Sequence, residues 1–298
     1  MKRKMSRCYC VIRDGVMVDK TIMKFLILNF KLHALFALMI LIGCGNQRDN
    51  ARKELDRLGI EYSEKSFLHR LRKGDAILTN LFLTSGMNPN ARFLRSYDST
   101  SQGELNEPTP LMIAARDGHS KLVRLLLARG ADVNALATNG QTALMYAARY
   151  APVDVMESLI KKGAKVNAKD EDGKTALTFA VLFDRVEIIK SLLQNGGDVN
   201  ARDRFHFTPL MQAAIKGKAN IITVLLTNGA DLTAANDQGQ TVLMLATEYN
   251  RIEAVRLLLM NGADIRSRDK KNRTALDVAK SKQYKTIIDL FADASAKK

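Results

Sequence analysis

The stretch Thr109-Pro110-Leu111-Met112-Ile113-Ala114-Ala115 decides the fold, because it returns along the chain. Thr142-Ala143-Leu144-Met145, Thr175-Ala176-Leu177-Thr178, Thr208-Pro209-Leu210-Met211, Thr241-Val242-Leu243-Met244 and Thr274-Ala275-Leu276-Asp277 echo it, each threonine 33 residues after the one before. A fixed period of this size marks a stacked solenoid, whose units bury their apolar sides against each other instead of in one central core.

One period, from Thr109 to Gln141, reads as two helices and a loop. The Thr109 hydroxyl can cap a free backbone N–H, and Pro110 stands at the first helical position, where its missing donor had no partner. Leu111, Ile113, Ala114 and Ala115 make a short inner helix that Asp117-Gly118-His119 ends. Leu122, Val123, Leu125, Leu126 and Leu127 place an apolar stripe on a second helix. Gly130 falls just past its end, where a left-handed residue is needed. Ala131–Ala135 is extended, and Asn139-Gly140 signals a tight turn.

Working back from this unit, Phe67–Ala91 is a weak copy. Gly74, Gly86 and Asn90 precede Gly118, Gly130 and Asn134 by 44 residues each, eleven more than one period. The segment is expected to be an atypical N-terminal cap, and the extra residues to form a surface loop within Arg92–Glu107, functional or disordered. Upstream, Gly45–Asn50 reads as a polar tether and Ala51–Leu58 as a charged helix ended by Gly59. Ser63–Ser66 offers N-caps for the next helix. At the far end the sixth unit lacks its loop, stops at Phe291-Ala292-Asp293, and leaves residues 294–298 as a polar tail.

The first 43 residues differ in kind. They hold eight basic and two acidic side chains, +6 of the chain's formal +15. Lys24 and Lys31 lead into the apolar run Ala34–Ile42, the plan of a secretory signal peptide and too short for a spanning helix of about 20 residues. Met23 is a candidate start alongside Met1, since a leader from there has ordinary length. An uncleaved N-terminal anchor is the alternative. Cys8, Cys10 and Cys44 are the three cysteines, so nothing after Cys44 can form an intrachain disulfide. No Cys-x-x-Cys pair occurs, and the four histidines lack carboxylates at ligand spacing, so no metal site is expected. The remaining +9 is spread over 255 residues. Neither a dense basic patch nor interleaved aromatics stand out after residue 43, which argues against nucleic acid. No phosphate loop, nucleophile elbow or Cys–His pair points to an enzyme, and no cofactor or small-molecule substrate is expected. Asp170–Gly173 has the look of a calcium loop without the later ligands and is read as a loop tip.

The Thr-Pro-Leu starts, the Ala-Ala pairs at Ala114, Ala147 and Ala213, the Gly-Ala-Asp runs at Gly130, Gly229 and Gly262, and the Asn-Ala pairs at Asn134, Asn167 and Asn200 resemble the ankyrin repeat family. The resemblance covers Thr109–Phe291 strongly and Phe67–Ala91 weakly. It implies an all-α solenoid of helix-turn-helix units with hairpin-like loops, six of them over residues 108–293. Two departures stand out. Met112, Met145, Thr178, Met211, Met244 and Asp277 replace the family's bridging histidine. Ala151, Asp184 and Asn250 replace the glycine that ends the inner helix, so those turns are expected to differ.

Leu41-Ile42-Gly43-Cys44 resembles the lipobox of bacterial lipoproteins. That resemblance implies cleavage between Gly43 and Cys44, acylation of Cys44, and an envelope location. Gly45 after the cysteine resembles outer-membrane sorting, facing the periplasm in a Gram-negative cell. The alternative is a chance cysteine after a signal helix.

The ankyrin resemblance also implies a protein partner on a concave face of hairpin tips and inner-helix ends. There the chain carries Arg149-Tyr150, Phe183 and Tyr249, with Arg204-Phe205-His206-Phe207 at the third tip. Tyr150, Phe183, Phe205, Phe207 and Tyr249 are read as one patch with Arg149 and Arg204, because clustered aromatics and arginines dominate interfaces. In the competing reading Phe183 packs between helices and Phe205 and Phe207 curl inward. The function read from this is a membrane-anchored, non-catalytic interaction module. The narrower alternatives are an immunity or inhibitor protein against a periplasmic toxin or hydrolase, and a secreted effector that binds host proteins.

Overall fold

The computed structural model describes the backbone of residues 9–12 and 16–19, and residues 47–93 and 107–296. The signal-peptide run, Gly43 and Cys44 lie outside the described residues, as does most of the insertion. The chain divides into two compact units, residues 1–62 with 84–86, and residues 63–83 with 87–298.

The first unit contains an antiparallel hairpin of β1 (Tyr9–Ile12) and β2 (Val16–Asp19), with Tyr9 opposite Asp19 and Ile12 opposite Val16. It also contains helix α1, residues 47–57. The stretch read as a tether is therefore helical from residue 47. Its polar side chains do not oppose a helix, and a Glu54–Arg57 pair one turn apart suits one. Gly59 ends α1 at φ 66°, as its position foretold.

In the second unit α2 (Glu64–Arg72) and α3 (Ala76–Thr84) form the atypical pair, with Ser63 accepting from the Ser66 amide as N-cap. Six regular pairs come after it. They are α4 (Pro110–Arg116) and α5 (Ser120–Ala128), α6 (Ala143–Tyr150) and α7 (Val153–Lys161), and α8 (Ala176–Leu182) and α9 (Val186–Gln194). Next come α10 (Pro209–Lys216) and α11 (Ala219–Thr227), α12 (Val242–Glu248) and α13 (Ile252–Met260), and α14 (Ala275–Ser281) and α15 (Lys285–Ala296). The all-α solenoid is as expected. Helix α15 continues through Ala296, so residues 294–296 extend the last helix; Ser295 bonds the Phe291 carbonyl one turn back.

Each recurring threonine caps its inner helix by accepting from the amide three residues on. At Thr178 and Asp277, two of the places where the family has histidine, the side chain returns to the threonine amide and completes a reciprocal cap. The inner helices are buried nearly all round: in α6 every residue from Ala143 to Arg149 is inaccessible. The outer helices bury one stripe in three fixed columns: Leu122, Val155, Ile188, Ile221 and Ala254; Val123, Met156, Ile189, Ile222 and Val255; and Leu126, Leu159, Leu192, Leu225 and Leu258. Each buried leucine contributes about 1.5–3 kcal/mol by leaving water.

The altered turns differ as expected. Asp184 and Asn250 take the left-handed conformation at φ 57° and 53°, which short polar side chains tolerate. Ala151 stays extended, and Pro152 opens α7 directly.

Candidate functional site

Three sets of side chains hold the units in register, and together they build the surface where a partner would bind. The first is an asparagine ladder. Asn90, Asn134, Asn167 and Asn200 each donate to the carbonyl of the glycine ending the next outer helix, Gly130, Gly163, Gly196 and Gly229, at 2.9–3.1 Å. Each also accepts from the amide two residues beyond that glycine, at 2.8–2.9 Å. Asn90 thus ties the atypical pair to the first regular unit as the others tie unit to unit.

The second set caps the inner helices. The last carbonyls of a helix have no partner within it and carry the negative end of its dipole. His119 Nε2 lies 2.9 Å from the Arg72 carbonyl at the end of α2. Arg185 donates to the Arg149 and Ala151 carbonyls at the end of α6. Lys216, Arg251 and Lys282 donate to the Leu182, Ile215 and Glu248 carbonyls that close α8, α10 and α12. Pro152 occupies this position in the second unit and has no such donor to offer α4.

The third set makes the hairpin tips. Asp170, Asp203, Asn236 and Asp269 are all buried, and each accepts with one side-chain oxygen from the amides two and four residues on. Successive tips then join through the backbone: Arg204 donates to the Asp172 carbonyl at 2.8 Å, and Lys270 to Gln238 at 2.9 Å. At Gly173 an added Cβ would sit 3.0 Å from the Arg204 nitrogen, and φ is +76°. His206 holds the same position in the third tip at φ 61°, with Nδ1 against the Asp237 carboxylate of the next. Asp170 and Asp172 therefore belong to a hairpin tip, with Lys174 paired to Asp172 at 2.9 Å. The Lys174 hydrogen bond holds the Asp172 carboxyl below the usual range, and the charge of Arg204 acts in the same direction.

On this frame the aromatic side chains fall into separate groups. Tyr150 ends α6 and Phe183 follows α8; both are exposed, at 49% and 40%, and their rings meet edge to face at 5.3 Å. Arg149 corrects the sequence reading. It is buried at 6% exposure, with its guanidinium 4.0 Å above the Phe179 ring and 5.6 Å from that of Phe183. It is a floor beneath the pair instead of a free anchor, because it lies on the side of α6 that faces α8. At the third tip Phe205 is 49% exposed under Arg204, whose guanidinium lies 4.7 Å from the ring and pairs with Asp172 at 2.8 Å. Phe207 is half-buried. Tyr249 is exposed but meets none of these rings among the described residues. The expected single patch is thus a Tyr150–Phe183 pair, an Arg204–Phe205 pair and an isolated Tyr249.

The buried tip carboxylates and the carbonyl-capping cations were missed in the sequence, although both recur at the 33-residue period. The last tip corrects a second expectation, that no basic cluster occurs after residue 43. Arg266, Arg268, Lys270, Lys271 and Arg273 crowd into eight residues with Asp269 as the sole acid. Arg273 is held by Asp269 at 2.7 Å, whereas Arg266, Lys270 and Lys271 make no ion pair among the described residues.

No curated protein matches the chain. The family model for ankyrin repeats, in three copies, matches residues 72–170, 165–236 and 210–298, most of the chain and the whole of the regular array. Repeats of this kind are protein–protein interaction modules. By that match, and by the helix pairs and hairpin tips that recur every 33 residues, the chain belongs to the ankyrin-repeat family.

Proposed function

We propose that the array is a non-catalytic module that grips a protein partner across its inner-helix ends and hairpin tips, and that lipid on Cys44 holds it at a bacterial envelope. The observation that carries the binding reading is the Tyr150–Phe183 pair. Two large rings stand half out of the surface, already in edge contact and backed by a buried arginine, so little conformational entropy remains to be lost on binding. Such rigid aromatic groups are the usual centre of an interface. Arg204 over Phe205 supplies a second anchor of the same type. The envelope reading is supported by the order of the sequence alone: basic lead, apolar run, Gly43, Cys44.

A photoreactive phenylalanine at position 183 should cross-link the partner in cells. The purified partner should then bind Tyr150→Ser and Phe183→Ser at least tenfold more weakly than the parent chain. Unchanged affinity in both variants would refute the surface. A secreted toxin or hydrolase as the cross-linked species would select the immunity reading. Metabolic labelling with an alkyne fatty acid should tag the parent chain and not Cys44→Ser; equal labelling of both would remove the anchor and leave the binding surface untouched.

A further inference from the structure

The C-terminal end of the array carries a second surface, and it does not depend on the aromatic one. A groove of about 400 Å³ opens between α13, α15 and the loop after α13. Its walls are largely aliphatic, from Leu259, Met260, Ile265 and Leu290, with Arg256 on the α13 side and Asp293 on α15. Met260 is 78% exposed, an unusual placement for a long apolar side chain. From Ile265 in the groove the chain runs directly into Arg266 and on to Lys270 and Lys271, exposed cations without ion partners among the described residues. In extended backbone these five steps span about 17 Å. An apolar slot therefore lies beside a basic strip that a peptide of about eight residues could cover together with it.

We infer that this surface docks an acidic, extended segment of a protein partner, with a large aliphatic or aromatic side chain in the groove and carboxylates along Arg266, Lys270 and Lys271. Charge complementarity sets the sign of the partner. The groove sets its class. Nucleic acid would need aromatic platforms for its bases, and neither the groove walls nor residues 264–273 contain an aromatic. An anionic membrane would press its charge on Asp293 as well as on the cations, whereas a peptide can run its acids over the basic loop only. Asp293 is accordingly the single group that opposes the ligand.

The test uses the full chain and a fluorescent peptide of eight residues, aspartate and glutamate except for a central leucine–phenylalanine pair. Fluorescence anisotropy should show saturable binding that Lys270→Glu/Lys271→Glu weakens more than tenfold and Asp293→Asn strengthens two- to threefold. Met260→Asp should weaken it about tenfold. A peptide with serines in place of the apolar pair should lose the same factor on the parent chain and nothing further on Met260→Asp, which ties the groove to that pair. Circular dichroism should find all variants folded, since every altered residue is exposed. Binding insensitive to Met260→Asp, or tighter binding to an oligothymidine or to phosphatidylglycerol vesicles than to the peptide, overturns the proposal.

Discussion

Replacing Asp203 tests whether the buried tip carboxylates shape the binding surface. Its Oδ1 accepts from the Phe205 amide at 2.9 Å and from the Phe207 amide at 2.8 Å, and its backbone closes the hairpin by donating to the Phe207 carbonyl at 3.0 Å. Hydrogen bonds to a charged acceptor contribute about 1.5–3 kcal/mol each, and less where water can replace the acceptor, as at this partly exposed tip. Asp203→Ala removes both bonds and should cost about 2–3 kcal/mol. The array supplies its own control. Asn236 stands one period on and accepts the same two amides, from Gln238 and Gln240, at 3.0 and 2.9 Å. Asp203→Asn should therefore keep the geometry and cost about 1 kcal/mol or less. Equilibrium urea unfolding reads the difference in stability. Hydrogen exchange at the Phe205 and Phe207 amides reads it locally, which matters in an array that need not unfold as one piece. If Asp203→Ala unfolds with the parent midpoint, or Asp203→Asn is as damaging as Asp203→Ala, the carboxylate does not organise the tip.

Gly173→Ala should destabilise by about 2–3 kcal/mol and Gly163→Ala by about 1 kcal/mol, measured by urea midpoint. Both have positive φ, but only the first places its methyl 3.0 Å from the next tip's amide, while nothing lies within 4 Å of the second. The Phe205→Ala variant should keep the parent melting temperature within about 2 °C, whereas Phe207→Ala should lose several degrees, because Phe207 is half-buried and Phe205 is not. Acid should loosen the loops. Hydrogen bonds from Lys174 to Asp172, from Thr233 to Asp231 and from Thr274 to Asp277 hold these carboxyls below their usual value of 3.8. Burial pushes Asp269 up, but the bonds from Arg273 outweigh it and lower that group too. Groups depressed in the folded state stabilise it above about pH 4 and lose that contribution as pH falls through their lower folded values. The urea midpoint should therefore drop between pH 5 and pH 3, and Asp269→Asn should flatten the drop.

The helix pairs were legible because capping and burial are local and periodic. A threonine that caps and a leucine that packs repeat every 33 residues, and each carries its reason in its own side chain. The binding surface was less legible because exposure is a property of neighbours. Arg149 and Tyr150 are adjacent in sequence, yet one lies over Phe179 and the other meets solvent, which depends on where α8 sits against α6. Phe205 and Phe207 look alike in the chain but take different exposures from the alternation of the hairpin. The cations that cap the inner helices stand in the sequence as ordinary surface charges, and only the stacking of one unit on the next shows which carbonyls they serve.

The asparagine ladder also locates a weak joint. Its next position after Asn200 is Thr233, whose hydroxyl bonds the nearby Asp231 carboxylate at 2.7 Å rather than reaching the following unit. The backbone there matches the tied positions: Gly262 has φ 87° against 82° at Gly229, and the Thr233 amide bonds the Asp231 carboxylate as the Asn200 amide bonds Asp198. An asparagine at 233 would thus find the Gly262 carbonyl placed as Gly229 is for Asn200. The gain is one bond between units, about 0.5–1.5 kcal/mol, less the lost hydroxyl contact. In a solenoid that loss of a tie falls on one interface, so the units after Thr233 should open before the rest. Hydrogen exchange in α13 and α14 should then be faster than in α8 and α10 in the parent chain, and Thr233→Asn should slow it selectively. Slowing spread evenly over all the repeats, or no slowing at all, would mean that the ladder does not set the local order of opening.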